Sequence, residues 1–153
     1  MSEYHARITW NRGDSRFTDN RYSRVHEWQF DEGIVVAASA SPHVVRPPLS
    51  SNAAVDPEEA LVAALSSCHM LTFLYLAAKK GFCVDSYVDA AVGYMEKNSQ
   101  GRFAITRVTL RPDIRFSGDK LPTQADLDAL HHTAHEDCYI ANSVRTEVAI
   151  EPV

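Results

Sequence analysis

The 153-residue sequence predicts an α+β fold with the element order βββ-α-ββ-α-β. Three observations lead there. Short segments with strand-like alternation open the chain, recur in its middle and close it. One long uncharged run with clear start and stop signals reads as a helix, and a second helical stripe lies between residues 123 and 138. Strands in groups, separated by only two helices, favour a sheet with segregated helices rather than parallel βαβ units. Hydrophobic residues make up 45% and charged residues 23%, which suits a single folded domain over residues 1–153.

The elements follow in order. Residues 3–10, 23–30 and 34–39 read as strands, the last two joined by the turn Asp31-Glu32-Gly33. Residues 41–55 read as a loop, because Pro42, Pro47 and Pro48 lack backbone donors. Asp56 is placed to cap a helix, Pro57 fits its first position, and Glu59 stands where a capping box needs an acid. That helix is expected to end near Lys79-Lys80-Gly81. Residues 86–96 and 103–110 alternate as strands around a turn at Asn98–Gly101, and residues 111–122 read as a connection. The second helix starts near Thr123, with Asp126 three residues on, and carries Leu127, Leu130, Ala134 and Cys138 on one stripe. Val144, Thr146, Val148 and Ile150 alternate in a closing strand.

Composition also excludes partners. The net charge is -5 and no Lys/Arg block stands out, so nucleic acid is not expected. Met1–Trp10 lacks an apolar signal core, which makes the cytoplasm the expected location. From Ala60 to Ala78 there is no Asp, Glu, Lys or Arg, a run long enough for a bilayer. Ser66, Ser67, His69, Thr72 and many alanines keep its hydrophobicity modest, and it stands alone. A helix buried on most sides, in the core or at a subunit interface, is the expectation, and no membrane. No GxGxxG or Walker loop is present, so no nucleotide or flavin cofactor is expected.

The three cysteines, Cys68, Cys83 and Cys138, are too dispersed for a CxxC motif. Cys68 falls in the first helix and Cys138 near the end of the second, so helix packing can bring them within disulfide reach. Composition alone equally allows both to be small buried hydrophobes. Cys83, after Gly81-Phe82, reads as a packed spectator.

Motifs separate these readings. The stretch from Val55-Asp56-Pro57-Glu58 to Ser67-Cys68 resembles the first-cysteine signature of the OsmC/Ohr family, with ten residues between glutamate and cysteine. Ala134-His135-Glu136-Asp137-Cys138 resembles its second motif, Ala-His-x-x-Cys. The resemblance implies an OsmC-like fold of antiparallel sheets with two central helices, in an intertwined homodimer with two active sites at the interface. It implies a thiol peroxidase for organic hydroperoxides, in which Cys68 attacks the peroxide and Cys138 resolves the sulfenic acid. An external dithiol of the lipoyl or thioredoxin type would then restore both thiols, without a metal. An arginine near the second strand would hold the thiolate and be oriented by Glu58. Family spacing selects Arg24, with Arg21 and then Arg16 behind it. The chain departs from the family where Tyr139-Ile140-Ala141 replaces Pro-Tyr-Ser, in the loop 41–55, and at His69 after Cys68. These departures mark a divergent branch.

The interval between Glu58 and Cys68 poses a physical problem, because ten residues of straight helix span roughly 15 Å. Either Glu58 acts at longer range or the helix breaks, with Ser66-Ser67 the expected point, which would put Cys68 in the first turn of a new helix at its positive dipole end. His131 and His135 lie one helical turn apart, a spacing compatible with metal, but no closed ligand shell completes them. His69 suits a supporting or pocket role better than that of a base for its neighbour. Trp10, Trp28, Phe73, Tyr75 and Phe82 are candidates to line an apolar pocket. A non-catalytic ligand-binding or redox-sensing protein, or a thiol hydrolase, are the alternative functions.

Overall fold

The computed structural model describes residues 1–153, which divide into two compact units, Met1–Ala60 and Leu61–Val153. The first unit holds a three-stranded antiparallel sheet in the order β1 (Arg7–Thr9), β2 (His26–Gln29), β3 (Val35–Ala38). Ile8 pairs with Trp28, and Trp28 with Val36. The β2–β3 turn has Glu32 and Gly33 at φ 57° and 78°, the left-handed region where glycine carries no Cβ penalty. All three strands are shorter than their alternation suggests. Residues 41–55 form no strand, as the prolines require, but return to the sheet at Val55, which bridges Ala38 in parallel. Buried Ser39 anchors the return, its amide donating to Val55 (3.0 Å) and its hydroxyl accepting from the Ser51 amide (3.0 Å).

Helix α1 (Pro57–Lys79) begins with the expected capping box. The Glu59 amide donates to the Asp56 carboxylate (2.8 Å), and the Asp56 amide donates back to Glu59 (3.2 Å). It ends in a Schellman motif, with Gly81 at φ 79°, Phe82 N–H donating to Ala77 (3.0 Å) and Gly81 N–H to Ala78 (2.9 Å). By length and composition α1 passes for a membrane span. Its buried residues, Leu65, His69, Phe73 and Ala77, recur every four positions and make one stripe facing the interior. Burial on most sides is thus not met within one chain. Leu71 and Tyr75 are 63% and 64% exposed.

The second unit follows β4 (Cys83–Asp89), β5 (Val92–Lys97), β6 (Phe103–Leu110), β7 (Pro112–Ser117), α2 (Gln124–Glu136) and β8 (Glu147–Ile150). The observed order is therefore βββ-α-ββββ-α-β. Two expectations need correction. The segment 86–96 is two strands, and 111–122 contains a strand. β4 pairs antiparallel with β7 while β5 pairs antiparallel with β6, so the two long hairpin arms bend together between sheets. The bend is pinned by Asp89, whose carboxylate accepts from the Arg111 amide (2.6 Å) and from the Ser66 hydroxyl of α1 (2.5 Å). Alternation passes through such a bend without interruption, which is why it reads as one strand. The sheets are also not wholly antiparallel, since β8 joins β6 in parallel, with Val108 opposite Val148.

Two apolar clusters fill this unit. Leu61, Val62 and Leu65 of α1 pack on β6 and β8 through Val108, Leu110 and Val148. Phe73 and Ala77 pack with Leu130 and Ala134 of α2 over Tyr87, Ile114 and Phe116. Gly93 lets α1 approach β5 closely, because a Cβ there would stand 2.6 Å from Val62 Cγ2. α2 opens with the predicted Thr123–Asp126 capping box.

Gly93→Ala is expected to destabilise the protein by about 2 kcal/mol through overpacking, lowering Tm by roughly 4–8 °C. A thermal melt within 1 °C of wild type would refute this close approach. Asp89→Ala removes the acceptor for both Ser66 and Arg111, and urea unfolding should report a loss of about 2–3 kcal/mol.

Candidate functional site

Cys68 and Cys138 are not joined by a disulfide, and although they stand far apart in sequence the Cys68 thiol lies near enough to perturb that of Cys138. α1 carries Cys68, half-buried at its midpoint. Cys138 is 1% exposed and lies just beyond the C-cap of α2, Asp137. The chain then turns tightly into a 3-10 turn, Ala141–Ser143, so that the Ala141 amide donates to Cys138 Sγ (3.4 Å). Burial, with the neighbouring Cys68 thiol, pushes the Cys138 thiol up to about 11, against the smaller opposing pull of the Ala141 and Ile140 amides. Cys138 is thus protonated at neutral pH and needs help to become a nucleophile. Tyr139-Ile140-Ala141, where the chain leaves the family motif, is the segment that supplies these amides.

The helix break expected at Ser66-Ser67 is absent, because α1 runs unbroken from Pro57 to Lys79. Ser66 spends its hydroxyl on Asp89 and so does not compete for its own backbone. Cys68 is therefore mid-helix, without a helix N-terminus beneath its sulfur. Glu58, in the first turn, is roughly 15 Å along the axis from Cys68. Its Oε2 is buried without a hydrogen-bond partner.

Arg24 does not bond Glu58. Its guanidinium donates to the Asn20 carbonyl (3.0 Å), the Asn20 side chain (2.7 Å) and the Tyr22 carbonyl, and it lies 3.9 Å over the Tyr22 ring. Arg21 and Arg16 are exposed. Arg24 instead edges an open groove of about 520 Å3 in the first unit, lined mainly by Ile8, Trp10, Phe17, Tyr22 and Ala40. Phe17 stacks on Tyr22 at 4.7 Å, and Trp10 meets Tyr22 edge-on at 5.4 Å. Of the aromatic candidates only Trp10 lines this groove. Phe73 and Phe82 are core, Tyr75 is exposed, and Trp28 donates its indole N–H to His26 (3.0 Å). Phe17 and Tyr22 were missed because residues 11–22 show no periodicity.

Sequence also missed the pairing of His69 with His131. His69 is 1% exposed, and its Nε2 lies 3.0 Å from His131 Nδ1. Nδ1 of His69 and Nδ1 of His135 are buried without partners. Desolvation first, then His131 and His135, lowers His69 to about 4, and desolvation also lowers His131. No three His, Cys, Asp or Glu side chains are grouped to hold a metal ion. Cys83 is exposed, contrary to its expected packing, with its sulfur 3.7 Å from the Ser117 hydroxyl.

His69 is neutral when folded and titrates at its ordinary 6.5 when unfolded, so its contribution to stability is present above pH 6.5 and is lost as pH falls toward 4. The loss should be on the order of 3 kcal/mol at 1.36 kcal/mol per pKa unit. Melting curves between pH 7.5 and 4 check this, and His69→Gln should flatten the dependence in that window.

Comparison with known proteins shows the family and the fold. Residues 50–153 match the family model described as OsmC-like protein. An OsmC-like protein of unknown function from Vibrio cholerae is 59% identical, with 100% of both chains covered and a TM-score of 0.98. At 18% identity, the organic hydroperoxide resistance protein OhrB of Bacillus subtilis shares the fold over 98% of each chain, with a TM-score of 0.66. An OsmC-like protein from Mycoplasma pneumoniae does so at 15% identity and TM-score 0.73, over 99% of this chain and 96% of that one. None of the curated proteins matches the chain. With its family model matched over residues 50–153 and 59% identity to the Vibrio cholerae protein over its full length, the chain belongs to the OsmC-like protein family.

Proposed function

We propose that this protein is a thiol peroxidase that reduces organic hydroperoxides. The observation that carries the reading is the nearness of the Cys68 and Cys138 thiols, close enough for the first to help hold the second protonated. In the first step the Cys68 thiolate attacks the O–O bond, forming a sulfenic acid and releasing an alkoxide that takes up a proton as the alcohol. In the second, Cys138 displaces hydroxide from that sulfur and the disulfide forms with loss of water. An external dithiol of the lipoyl or thioredoxin type reduces the disulfide and is itself oxidised to its cyclic disulfide. This cycle suits the cytoplasm, where thiols are kept reduced.

The reading includes a homodimer. Only one stripe of α1 is buried in a single chain, and its exposed Leu71 and Tyr75 suit a second copy. The axial distance from Glu58 to Cys68 along an unbroken helix argues that the partner subunit's Glu58 and Arg24 complete each thiol site. The unpartnered Glu58 Oε2 supports this, since a buried acceptor calls for a donor. Arg24 then stabilises the thiolate, and its aromatic groove takes the apolar part of the peroxide. The same groove, with the high Cys138 thiol, favours a second reading: a hydrophobic-ligand binder or redox sensor that oxidises once without turnover.

Anaerobic thiol counting around one equivalent of cumene hydroperoxide tests the main reading. Two thiols should vanish together in the wild type, and Cys138→Ser should leave a trappable sulfenic acid on Cys68. Arg24→Ala should slow the first step by about 10²-fold or more, as loss of one charge-stabilising group does. Oxidation of Cys83 with Cys68 and Cys138 untouched would end the proposal. Disulfide formation without turnover on added dithiol selects the sensor.

A further inference from the structure

Near the cysteine pair lie three histidines that the peroxidase reading leaves unused, of which His69 and His131 are joined by a hydrogen bond. On α2, His131, His135 and Cys138 follow at intervals of four and three residues, the spacing of neighbours on one helix face. Asp137 stays in the αR region, and the Cys138 amide still donates to the His135 carbonyl (3.3 Å), so the face continues as far as Cys138. From α1, His69 reaches across to this face. Its Nε2 lies 3.0 Å from His131 Nδ1, the two rings are within 5° of parallel, and His135 is near enough to perturb it electrostatically. Phe73 closes one side of the group, its ring 4.5 Å from that of His131. Two ring nitrogens of the group, Nδ1 of His69 and Nδ1 of His135, are buried with no partner. Buried polar atoms are seldom left so without a function. At the far end His131 keeps a 6% exposed edge, with Asp128 one turn away on α2.

We propose that His135, His131 and His69 are a proton relay that takes the proton from Cys138 as its sulfur displaces hydroxide from the sulfenic acid on Cys68. The inference rests on the peroxidase reading and adds to it the residues that make the second step possible. The balance is simple. Cys68–S–OH and H–S–Cys138 become the disulfide and one water. The S–O bond breaks, the S–S bond forms, and the thiol proton passes through the relay to the departing hydroxide. Each imidazole that accepts a proton on one nitrogen releases one from the other, so the His69–His131 hydrogen bond can shift between tautomers without a net charge lingering in the interior. Burial favours the neutral form of His69 and His131, which leaves each a free ring nitrogen to accept a proton. The other titratable groups facing the histidines are Cys68 on α1, Asp128 on α2, and Tyr87 and Asp89 on β4. Of these, Asp89 and Asp128 favour a passing positive charge on His131. The histidines are positioning and relay residues, because the reacting sulfurs belong to the cysteines.

The test resolves the two steps by rapid quench with one equivalent of cumene hydroperoxide, from pH 6 to 9. Sulfenic acid on Cys68 and the Cys68–Cys138 disulfide are followed separately by mass spectrometry. In His135→Gln, sulfenic acid should form at the wild-type rate, while the disulfide forms about 10²-fold more slowly at pH 7. The disulfide rate of the variant should climb steeply with pH, with hydroxide replacing the lost acceptor, whereas the wild type should be nearly flat. If His135→Gln does not fold, His69→Gln is judged by the same criteria. Unchanged disulfide formation in a folded variant overturns the relay, as does slowing by the same factor at every pH, which marks a purely structural role. Failure of the wild type to form any sulfenic acid overturns the peroxidase reading and takes the relay with it.

Discussion

The contact between α1 and α2 is the constraint on which the remaining arrangement depends. Phe73 and Ala77 share one buried apolar cluster there with Leu130 and Ala134. The contact positions the sulfurs of Cys68 and Cys138 and aligns His69 with His131 at the same time. Neither element could hold such a site alone. A free cysteine on an isolated helix has no fixed partner, and a buried histidine without a second ring would only be a cost. Tertiary packing turns dispersed residues into one polar seam inside an apolar interior.

That seam has an unusual electrostatic character. It contains thiols and imidazoles but no bonded carboxylate, and the nearest acids, Asp89 and Asp128, act at a distance. Desolvation therefore dominates, holding imidazoles neutral and the Cys138 thiol protonated. Its polar contacts are sulfur–amide and imidazole–imidazole ones, and Nδ1 of His69 and of His135 are left without partners. Asp89 is occupied elsewhere, tying α1 to the bend between the sheets through Ser66 and Arg111.

Much of this was legible in sequence, for local reasons. Both capping boxes, Asp56–Glu59 and Thr123–Asp126, and the glycine stop at Gly81 are encoded within a few residues and appeared where expected. The two cysteine motifs were equally local. What was not legible depends on residues distant in the chain. Ser66-Ser67 reads as a helix break until Asp89, 23 residues on, is seen to accept the serine hydroxyl. The His69–His131 pair spans 62 residues. Strand β7 is masked in the sequence because Pro112 opens it and Asp113 and Arg115 are charged, although Ile114 and Phe116 alternate with them. Arg24 was chosen by spacing, but its hydrogen bonds to Asn20 and Tyr22 follow from a loop whose course no periodicity reveals.

The parallel pairing of β8 with β6 bears on how the chain acquires its structure. β6 lies between β5 and β8, and β8 follows every other strand in order. On the ribosome, the β5–β6 hairpin emerges early with one edge of β6 bare, and that edge waits for both β7 and α2 to be synthesised before its neighbour arrives. Val108 and Leu110, fully buried in the finished protein, face solvent or a chaperone meanwhile. Nascent chains stalled before Glu147 should therefore be the most adhesive species this polypeptide passes through, and the last strand serves as the cover that ends that exposure.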